Sequence, residues 1–522
     1  MKRFNVTGVC IPNKHYMVDI SGKLEQIRAM VDYGDYFTIN RARQYGKTTT
    51  LSLLKKTLKD EYTVASISFE GVGGKAFASE ADFCREFMEA IKDALMLTDT
   101  PEEYAQSWLN EDVTGFPSLG RHVTNMCRDR KVVLMIDEVD KTSDNRTYLH
   151  FLGMLRDKYL KREQNEDHTF HSVILAGVYD IRNIKLKMIN EGAYTPEATE
   201  NKLYNSPWNI AADFKIDMSF SPAEIVTMLA EYEADHSTGM DTSAIAEEIH
   251  SYTSGYPFLT LRICQCIDEE LGKDWTHRGV LEAVKSILDE KNTLLDDIQK
   301  NLENNKDLYD FIYGVLVTGN GNGFNIYNPI IDLGYTFGFL ERGEGKKAIV
   351  SNRIFELFMY EYFISKDSIP RKRMTGIVQY DVVESGRFDM ELCLRKFAEH
   401  YSEIYSERDA DFFEREGRLV FLSYLKPLIN GQGFYHIESR FTDQRRMDIV
   451  IDFGSDQFVI ELKLWKGDAA HDKAYEQLAG YLDHKRTDTG YLLTFDFRKG
   501  AKKQPYAKWV EYVGKRIFDV VV

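Results

Sequence analysis

The sequence predicts a multidomain protein of the α/β class. Its 522 residues exceed what one hydrophobic core usually organises, since domains commonly span about 100–200 residues. Strand-like apolar runs alternate with helical patterns over roughly the first 200 residues, which is typical of a parallel sheet. A similar alternation returns after a charged, proline-containing break at residues 366–373, and it predicts a second, separate α/β unit.

The first unit is expected to hold a doubly wound sheet. Predicted strands occupy residues 36–40, 63–69, 132–136 and 171–179, and predicted helices occupy residues 82–95 and 119–130. The run from Val132 to Ile136 has five consecutive apolar residues, the pattern of a strand that is buried on both faces.

Helical patterns dominate the middle of the chain. Ser221 is followed by a proline, a common helix start, and helices continue to about residue 290. Residues 294–363 contain two or three helices and then a glycine-rich, hairpin-like segment, FLERGEGKKAIVSN. This order matches a winged helix, although segments this short fit many small domains.

Composition and charge exclude several classes of protein. The formal charge of -16 argues against a broadly basic surface. Residues 371–522 contain 25 Lys+Arg and 25 Asp+Glu, so the acidic excess belongs to residues 1–370. The net charge therefore does not exclude a nucleic-acid partner for the C-terminal part. No signal peptide, no membrane-spanning window and no disulfide or zinc pattern among the six scattered cysteines is visible. We therefore expect a cytoplasmic protein without a membrane partner.

A phosphate-binding loop is predicted after the first strand. Gly46-Lys47-Thr48 matches the second half of the pattern glycine, four residues, then Gly-Lys-Ser/Thr, with Arg41 at the place of the first glycine. Backbone N–H groups at a helix start face an anion, a lysine reaches the β- and γ-phosphates, and a threonine can bind Mg²⁺. The half-motif alone also fits an exposed Gly-Lys-Thr at a helix start. The residues expected to contact ATP here are Arg43, Gln44, Tyr45, Gly46, Lys47, Thr48 and Thr49.

Asp137 and Glu138 end the most apolar strand and strengthen the nucleotide hypothesis. A carboxylate that holds Mg²⁺ is expected at the C-terminal tip of a buried strand beside the phosphate-loop strand, and a following glutamate can orient or deprotonate water. The alternative is an ordinary acidic loop. Both motifs together, each on its expected element, predict binding of ATP and Mg²⁺ more strongly than they predict hydrolysis.

Four segments together resemble the bacterial AAA-ATPase-like family, which is related to the archaeal-type and STAND P-loop ATPases of the AAA+ group. These segments are YFTINRARQYGKTTTL, VVLMIDEVD, SPWNIAADF and SGYPFLTLRI. The resemblance implies a P-loop NTPase domain with a parallel sheet at residues 1–218, a helical lid at 219–290 and a winged-helix-like region at 291–365. It also implies that Lys47 and Thr48 bind phosphate and Mg²⁺, that Asp137 holds Mg²⁺ and that Glu138 activates water.

Two further features of the family are less complete here. The strand at residues 171–179 stands where a sensor-1 strand belongs, but it ends in Val178-Tyr179-Asp180 without the usual Asn or Thr. The γ-phosphate sensor is therefore unassigned, with Arg182 as a candidate. Gly255-Tyr256-Pro257 resembles the glycine-x-proline turn by which a STAND-type lid approaches the nucleotide, and it equally fits a simple helix-breaking turn.

The segment RRMDIVIDFGSDQFVIELKLW (445–465) predicts a hairpin with a turn at Gly454–Gln457. Phe453 would then pair with Phe458 and Asp448 would lie opposite Lys463. Alternation gives one wholly apolar face and a second face that gathers Asp448, Glu461 and Lys463 within about 5–8 Å. Such a group suits Mg²⁺ held by Asp448 and Glu461, with Lys463 beside the phosphate, as in a metal nuclease. By register alone, a solvent-facing hairpin with an Asp448–Lys463 ion pair is the better explanation of the pattern.

The order aspartate, Glu-x-Lys, helix and strand resembles the PD-(D/E)xK nuclease superfamily, a restriction-endonuclease-like α/β fold. The resemblance covers about residues 380–500, within a predicted domain at 380–522 that follows a linker at 366–379. It implies a catalytic core of Asp448, Glu461 and Lys463, with Gln477 on the following helix facing the site. The upstream helix at residues 412–425 would supply Glu414, with Glu416 as its rival, and Glu438 is another candidate acid.

We therefore expect an ATP-dependent switch that controls a Mg²⁺-dependent nuclease domain acting on nucleic acid. Arg445-Arg446 directly precede the proposed metal strand and are candidates for phosphate contact. The alternative is a nucleotide-dependent switch or scaffold whose C-terminal domain only binds nucleic acid or protein. The sequence leaves the oligomeric state open, a homo-oligomer included.

Overall fold

A computed structural model gives the fold of the chain. It describes residues 2–139, 146–178, 208–318, 323–366, 382–384, 387–404, 433–438, 448–454, 456–465, 467–485, 487–496 and 506–522, together with residues 421–422, 424–425 and 428–429. Two compact units are present: residues 1–287 with 334–338, and residues 288–333 with 339–522.

The first unit contains a four-stranded, all-parallel sheet. Its strands are β1 (Tyr36–Asn40), β2 (Thr63–Ser68), β3 (Val132–Asp137) and β4 (Ser172–Gly177). Strands β3 and β4 are buried along their whole length, as their apolar runs predicted. The helices of the sheet region are α1 (Ser21–Asp32), α2 (Lys47–Leu58), α3 (Glu80–Met96), α4 (Glu102–Gln106), α5 (Phe116–Cys127) and α6 (Arg146–Glu163).

The strand order is β1-β4-β3-β2. The expectation that the Asp137 strand lies beside the phosphate-loop strand is wrong, because β4 lies between β1 and β3. A parallel crossover can skip a neighbour, so strand order is set by the helices that connect the strands and not by the local pattern.

The segment after residue 207 extends this sheet region on the other side of β1. Ala212 forms a parallel bridge with Phe37, and its N–H donates to the carbonyl of Tyr36 at 2.8 Å. Trp208 is fully buried, and its indole N–H donates to the hydroxyl of Thr38 at 3.0 Å. These contacts fix residues 208–214 to the phosphate-loop strand.

Helices complete the first unit. They are α7 (Pro222–His236), α8 (Thr242–Thr253), α9 (Pro257–Glu269) and α10 (His277–Asp289). Helix α7 begins at a capping box in which the Ser221 hydroxyl accepts from the Glu224 N–H and the Glu224 carboxylate accepts from the Ser221 N–H.

The second unit begins with helices and a small hairpin, of which only residues 334–336 belong to the first unit. The order is α11 (Thr293–Asn304), α12 (Lys306–Tyr313), α13 (Pro329–Thr336), β5 (Leu340–Arg342), β6 (Ala348–Val350) and α14 (Arg353–Lys366). Strands β5 and β6 pair antiparallel, with Leu340 opposite Val350. Three helices followed by a hairpin is the element order that the sequence predicted, and the domain bounds around it stay predictions.

A six-stranded mixed sheet forms the rest of the second unit. After a short hairpin of β7 (Val383–Glu384) and β8 (Arg387–Phe388), the elements are α15 (Met390–Ile404), β9 (Gly433–Glu438), β10 (Asp448–Phe453), β11 (Asp456–Leu464), α16 (Asp468–His484), β12 (Thr489–Phe495), β13 (Tyr506–Tyr512) and β14 (Lys515–Val521). The strand order is β13-β14-β12-β11-β10-β9. Strands β11, β12 and β14 run parallel, and the other neighbours pair antiparallel.

The predicted hairpin register is wrong by two residues. Asp448 lies opposite Glu461, and Phe453 lies opposite Asp456, so only two residues connect the strands. Gly454 has φ 60, the left-handed conformation that such tight hairpin turns require. Because the shift is an even number, the two predicted faces keep their members.

A glycine without room for a side chain fixes the junction between α8 and α9. Gly255 has φ +72, and a Cβ added there would lie 2.0 Å from the carbonyl oxygen of Phe220. We expect Gly255→Ala to lower the free energy of unfolding by more than about 2 kcal/mol, because backbone strain and a steric clash add. Urea denaturation measures the change.

Gly239→Ala is the matched control, since Gly239 has φ +80 but no atom within 4 Å of the added Cβ. Gly239→Ala should lower the free energy of unfolding by only about 1 kcal/mol, the cost of placing alanine in the left-handed conformation. Equal losses at the two positions would contradict the close packing assigned to Gly255.

Candidate functional site

The loop between β1 and α2 has the backbone of an anion-binding turn. Gln44 and Gly46 have φ values of 56 and 77, and Gly46 lies at the N-terminus of α2. Left-handed residues of this kind turn backbone N–H groups into a concave nest, and a helix N-terminus adds its dipole. Arg43, Gln44 and Thr48 are exposed, whereas Tyr45, Gly46 and Thr49 are half-buried.

Lys47 is folded onto this loop. Its side chain is buried, and the ammonium donates to the carbonyl oxygens of Arg41 at 2.8 Å and Ala42 at 2.9 Å. Two neutral acceptors stabilise an ammonium less than a phosphate does, because hydrogen bonds between charged groups are stronger. The lysine is therefore held at the loop in a position from which an anion can recruit it.

Thr48 and Asp137 meet across the sheet. The Thr48 hydroxyl donates to Oδ2 of Asp137 at 2.7 Å, although the two residues belong to different elements, α2 and β3. The other oxygen of Asp137, Oδ1, accepts from the Glu138 N–H at 2.9 Å. Two hard oxygen ligands at the carboxyl edge of a parallel sheet are the donor set that Mg²⁺ prefers. The residues thus fit the ion that the sequence predicted.

Glu138 adopts a conformation that glutamate rarely takes. Its φ is 56, in the left-handed region, and its side chain is half-buried. Strained backbone of this kind is common at functional sites because surrounding contacts must hold it. Here the hydrogen bond from its N–H to Asp137 provides one such contact.

Arg41, at the place of the expected first glycine, has a structural role. Its guanidinium donates to the carbonyl oxygens of Asn40 at 2.8 Å and Ile216 at 2.7 Å, and it lies 5.5 Å from the ring centre of Phe214. The side chain therefore ties the end of β1 to the segment at residues 214–216. A glycine could not make these contacts.

The Gly-Tyr-Pro turn reaches the phosphate loop. The Tyr256 hydroxyl donates to the carbonyl of Arg43, and the rings of Tyr256 and Tyr45 meet edge to face at 4.7 Å. Pro257 lies beside Gly46 at the start of α9. The turn is thus more than a helix break, and sequence reasoning missed Tyr256 as a partner of the loop.

An apolar pocket adjoins Gly46 and Thr49. Its wall includes Tyr16, Val18, Ile20, Tyr45, Leu53, Met218, Phe220, Pro257 and Leu261. Cys10 also lines it, and the Cys10 N–H donates to the Thr49 hydroxyl at 3.1 Å. Tyr16 donates to Asp235 of α7 at 2.9 Å, so the N-terminal segment is held against the helices behind the pocket. No local sequence pattern predicted this pocket.

The γ-phosphate sensor stays unassigned. Strand β4 ends at Gly177, and Val178 is the last residue before a gap in the described chain. Tyr179, Asp180 and the candidate Arg182 lie outside the described residues.

Three acids of the second unit lie in one row across the sheet. Glu438 of β9 is paired with Asp448 of β10, which is paired with Glu461 of β11. Directly opposite residues on antiparallel strands share a face and have Cβ atoms about 4.5–5.5 Å apart. The structure therefore aligns Asp448 and Glu461 more closely than the predicted register did, and Glu438 joins the same row.

The Glu461 side chain is almost fully buried, and it forms an ion pair with Lys463 two residues further along β11. Val450 and Val459 on the same face pack in a core with Leu478 and Leu482 of α16. The solvent-facing hairpin considered from the sequence is thus excluded, since helix α16 covers this face.

The remaining predicted residues of this site are Gln477, Glu414, Glu416 and Arg445-Arg446. Gln477 is half-buried on α16, one position before the core residue Leu478, and its approach to Glu461 stays a prediction. Glu414, Glu416 and Arg445-Arg446 lie outside the described residues. Across the described ranges, no group of three or more His, Cys, Asp and Glu side chains could hold a metal ion.

A buried carboxylate on the same face was not anticipated. Asp519 of β14 is fully buried, and its Oδ2 accepts from His471 at 3.0 Å, Tyr475 at 2.5 Å and Tyr506 at 2.8 Å. Burial and the nearby carboxylate both raise the pKa of the Tyr475 and Tyr506 hydroxyls, so they stay protonated donors. Nothing in a sequence distinguishes these tyrosines from ordinary core residues.

A scan against family models matches residues 9–327 to one described as an AAA-like domain. The chain belongs to this AAA-like domain family. The match contains the phosphate loop, Asp137-Glu138 and the Gly-Tyr-Pro turn, so the family assignment made from the N-terminal motifs is confirmed. The C-terminal nuclease assignment stays a prediction.

An uncharacterized WD repeat-containing protein of Synechocystis sp. is 26% identical over 280 residues, which are 51% of this chain and 21% of that protein. The chain thus aligns with about one fifth of this relative's length.

Two solved structures also align. The ORC2 protein of Aeropyrum pernix, in its ADPNP–ADP complexes, has a TM-score of 0.36 at 10% identity and covers 69% of this chain and 98% of its own. Drosophila ORC bound to GC-rich DNA and Cdc6 has a TM-score of 0.27 at 12% identity and covers 79% of this chain and 70% of its own.

Within the described parts of the AAA-like protein, no helix combines the length and the apolar character needed to cross a membrane.

The Arg41 side chain stabilises the folded loop through its two hydrogen bonds and its contact with Phe214. We expect Arg41→Gly, which restores the usual motif glycine, to lower the free energy of unfolding by about 1–3 kcal/mol, because two hydrogen bonds and the contact with Phe214 are lost. Chemical denaturation of the nucleotide-free protein measures this.

Arg41→Lys is the companion variant, since it keeps the charge but cannot span both carbonyl oxygens as a guanidinium does. The free energy of unfolding of Arg41→Lys should lie between those of the wild type and Arg41→Gly. A protein made more stable by the glycine would show that Arg41 does not anchor the loop.

Proposed function

We propose that the first unit binds ATP together with Mg²⁺ and acts as an ATPase. The observation that carries this proposal is the hydrogen bond of 2.7 Å between Thr48, in the first turn of α2, and Asp137, at the end of β3. It brings the two oxygen ligands together beside a loop with left-handed residues and a buried lysine. Membership of the AAA-like domain family supports the same function.

Each residue has a role in this proposal. Lys47 leaves the carbonyls of Arg41 and Ala42 to bind the β- and γ-phosphates, and N–H groups of residues 43–49 surround the phosphate oxygens. Thr48 and Asp137 would hold Mg²⁺, which when bound would neutralise charge on the phosphates. Glu138 orients the attacking water and accepts its proton as the water oxygen bonds to the γ-phosphorus and the bridging oxygen leaves with ADP.

The apolar pocket beside Gly46 suits the adenine base. Its aromatic and aliphatic wall can bury a flat heterocycle, and the half-buried Thr49 lies between that pocket and the loop. Phosphates at the loop and a base in the pocket place one nucleotide along the N-terminus of α2.

Three substitutions separate binding from chemistry. We expect Lys47→Ala to weaken ATP binding about 10- to 100-fold, since a hydrogen bond between charged groups contributes about 1.5–3 kcal/mol. Asp137→Asn should lose the Mg²⁺ dependence of binding. Glu138→Gln should bind ATP normally but hydrolyse it about 100-fold more slowly, because only the proton acceptor is removed.

Isothermal titration and phosphate release measure these effects. Lys55→Ala, a substitution in the last turn of α2, is the control for a lost lysine in the same helix. ATP affinity that Lys47→Ala leaves unchanged would exclude the loop as the phosphate site.

We further propose that the second unit is a Mg²⁺-dependent nuclease-like domain under control of the nucleotide switch. Support comes from the row of Glu438, Asp448 and Glu461 and from Lys463 on the same face of the sheet. Asp448 and Glu461 would hold the ion, which polarises a phosphodiester and an attacking water. Lys463 would release Glu461 and move to the phosphate as the water oxygen bonds to phosphorus and the strand-end oxygen leaves and takes up a proton.

The second candidate is a nucleotide-dependent switch whose C-terminal domain binds nucleic acid or protein without cutting it. One observation favours it: Glu461 is only 1% exposed and is ion-paired with Lys463. A carboxylate in this state needs rearrangement before it can reach a metal ion and a substrate. Tight DNA or RNA binding without cleavage would support this candidate.

Cleavage assays decide between the two candidates. We expect the intact protein to cut DNA or RNA with Mg²⁺ or Mn²⁺, and Glu461→Gln to reduce the rate at least about 100-fold, because one of two metal ligands loses its charge. Asp452→Asn is the control, since Asp452 lies on the same hairpin face but is bonded to Gln457 at 2.7 Å.

If the wild type never cuts, or if Glu461→Gln cuts equally well, the nuclease proposal fails. ATP should change the cleavage rate of the wild type and not that of Lys47→Ala. The cytoplasmic location and the domain bounds stay predictions.

A further inference from the structure

The carbonyl oxygens of residues 41–43 are all bound by side chains of the first unit. The Lys47 ammonium binds those of Arg41 and Ala42, and the Tyr256 hydroxyl binds that of Arg43. A loop that presents N–H groups to an anion must turn its carbonyls away from it. These three contacts therefore hold the loop in a conformation in which its N–H groups can face a phosphate.

The contact from Tyr256 determines the direction of one N–H group. In a trans peptide, the carbonyl and the following N–H point in opposite directions. Because the Arg43 carbonyl is held toward Tyr256, the Gln44 N–H points to the other side of the loop. The left-handed conformations of Gln44 and Gly46, with φ 56 and 77, continue the turn from there.

Tyr256 itself has little freedom to move. Its side chain is 3% exposed, its ring packs against Tyr45, and it stands between two residues with fixed backbones. Gly255 before it is confined by Phe220, whose N–H donates to the Gly255 carbonyl at 2.8 Å. Pro257 after it begins α9 and has a fixed φ.

The two anchors of the loop differ in what happens when nucleotide arrives. Lys47 is the residue that we expect to turn to the phosphates, so its two hydrogen bonds to the loop end at that moment. The Tyr256 hydroxyl is not expected to turn to the phosphates. Its hydrogen bond to the Arg43 carbonyl can therefore persist while phosphate is bound.

We propose that Tyr256 is a positioning residue that couples the helical segment around α9 to the phosphate loop. This rests on the proposed nucleotide binding and adds a regulatory element to it. When α9 is in place, the loop is preformed for the α- and β-phosphates. Without the Tyr256 hydroxyl, the Arg43–Gln44 peptide loses this anchor and the affinity for phosphorylated nucleotides falls.

Tyr256→Phe tests the proposal, since it keeps the ring against Tyr45 and removes only the hydroxyl. We expect the dissociation constants of MgATP and ADP to rise about tenfold, the effect of one hydrogen bond on a preformed loop. The dissociation constant of adenosine, which carries no phosphate, should change less than about twofold. A general loss of packing would weaken all three ligands alike.

Tyr104→Phe is the matched control. The Tyr104 hydroxyl also donates to a backbone carbonyl, that of Met126 at 2.7 Å, but on helices α4 and α5. This variant should bind ATP, ADP and adenosine like the wild type. A Tyr256→Phe protein with unchanged ATP affinity, or with an equal loss for adenosine, would overturn the proposal.

Amide hydrogen exchange of the nucleotide-free protein gives a second test that does not depend on nucleotide binding. Tyr256→Phe should speed exchange in the peptide that covers residues 41–46, while peptides from β3 and β4 stay protected. Unchanged exchange in the loop would overturn the anchoring role. If the wild type bound no nucleotide, the proposed function would fail while this measurement still decided whether Tyr256 holds the loop.

Discussion

The hydrogen bond between Thr48 and Asp137 is the contact on which the proposed chemistry depends. It forms because all four strands of the first sheet are parallel, so β1 and β3 end at the same edge although β4 lies between them. Helix α2 begins at that edge directly after the loop, which brings its first hydroxyl to the carboxylate. Any change that moved α2 along its axis, or that shifted the end of β3, would separate the two oxygens that are proposed to bind Mg²⁺.

The loop above this contact is shaped by side chains and not by glycines alone. Arg41 ties its beginning to Ile216, Lys47 closes over its first carbonyls, and Tyr256 holds the carbonyl of Arg43. The loop can therefore adopt an anion-binding backbone conformation with an arginine at the place of the first motif glycine. Side chains also stabilise buried charges in the second unit. Asp519 accepts hydrogen bonds from His471 and two tyrosines, and Glu461 is ion-paired with Lys463, so both carboxylates have partners although they are buried.

Local patterns predicted the elements well and their neighbours poorly. The apolar run of β3 correctly predicted a buried strand, and Gly-Lys-Thr correctly predicted a helix start. Both features depend on residues that are close together in the sequence. The strand order failed because connecting helices decide it. The hairpin register failed because Gly454 adopts the left-handed conformation of a two-residue turn. Tyr256 and Arg43 are 213 residues apart, so no local pattern could reveal their contact.

A crystal structure of the protein with a non-hydrolysable ATP analogue and Mn²⁺ would test the central claim most directly. The account predicts that the Lys47 ammonium leaves the carbonyls of Arg41 and Ala42 for a phosphate oxygen, and that anomalous density for manganese lies between Thr48 and Asp137. It also predicts the base in the apolar pocket beside Gly46. Nucleotide bound elsewhere, or Lys47 still on the loop carbonyls with nucleotide present, would contradict it.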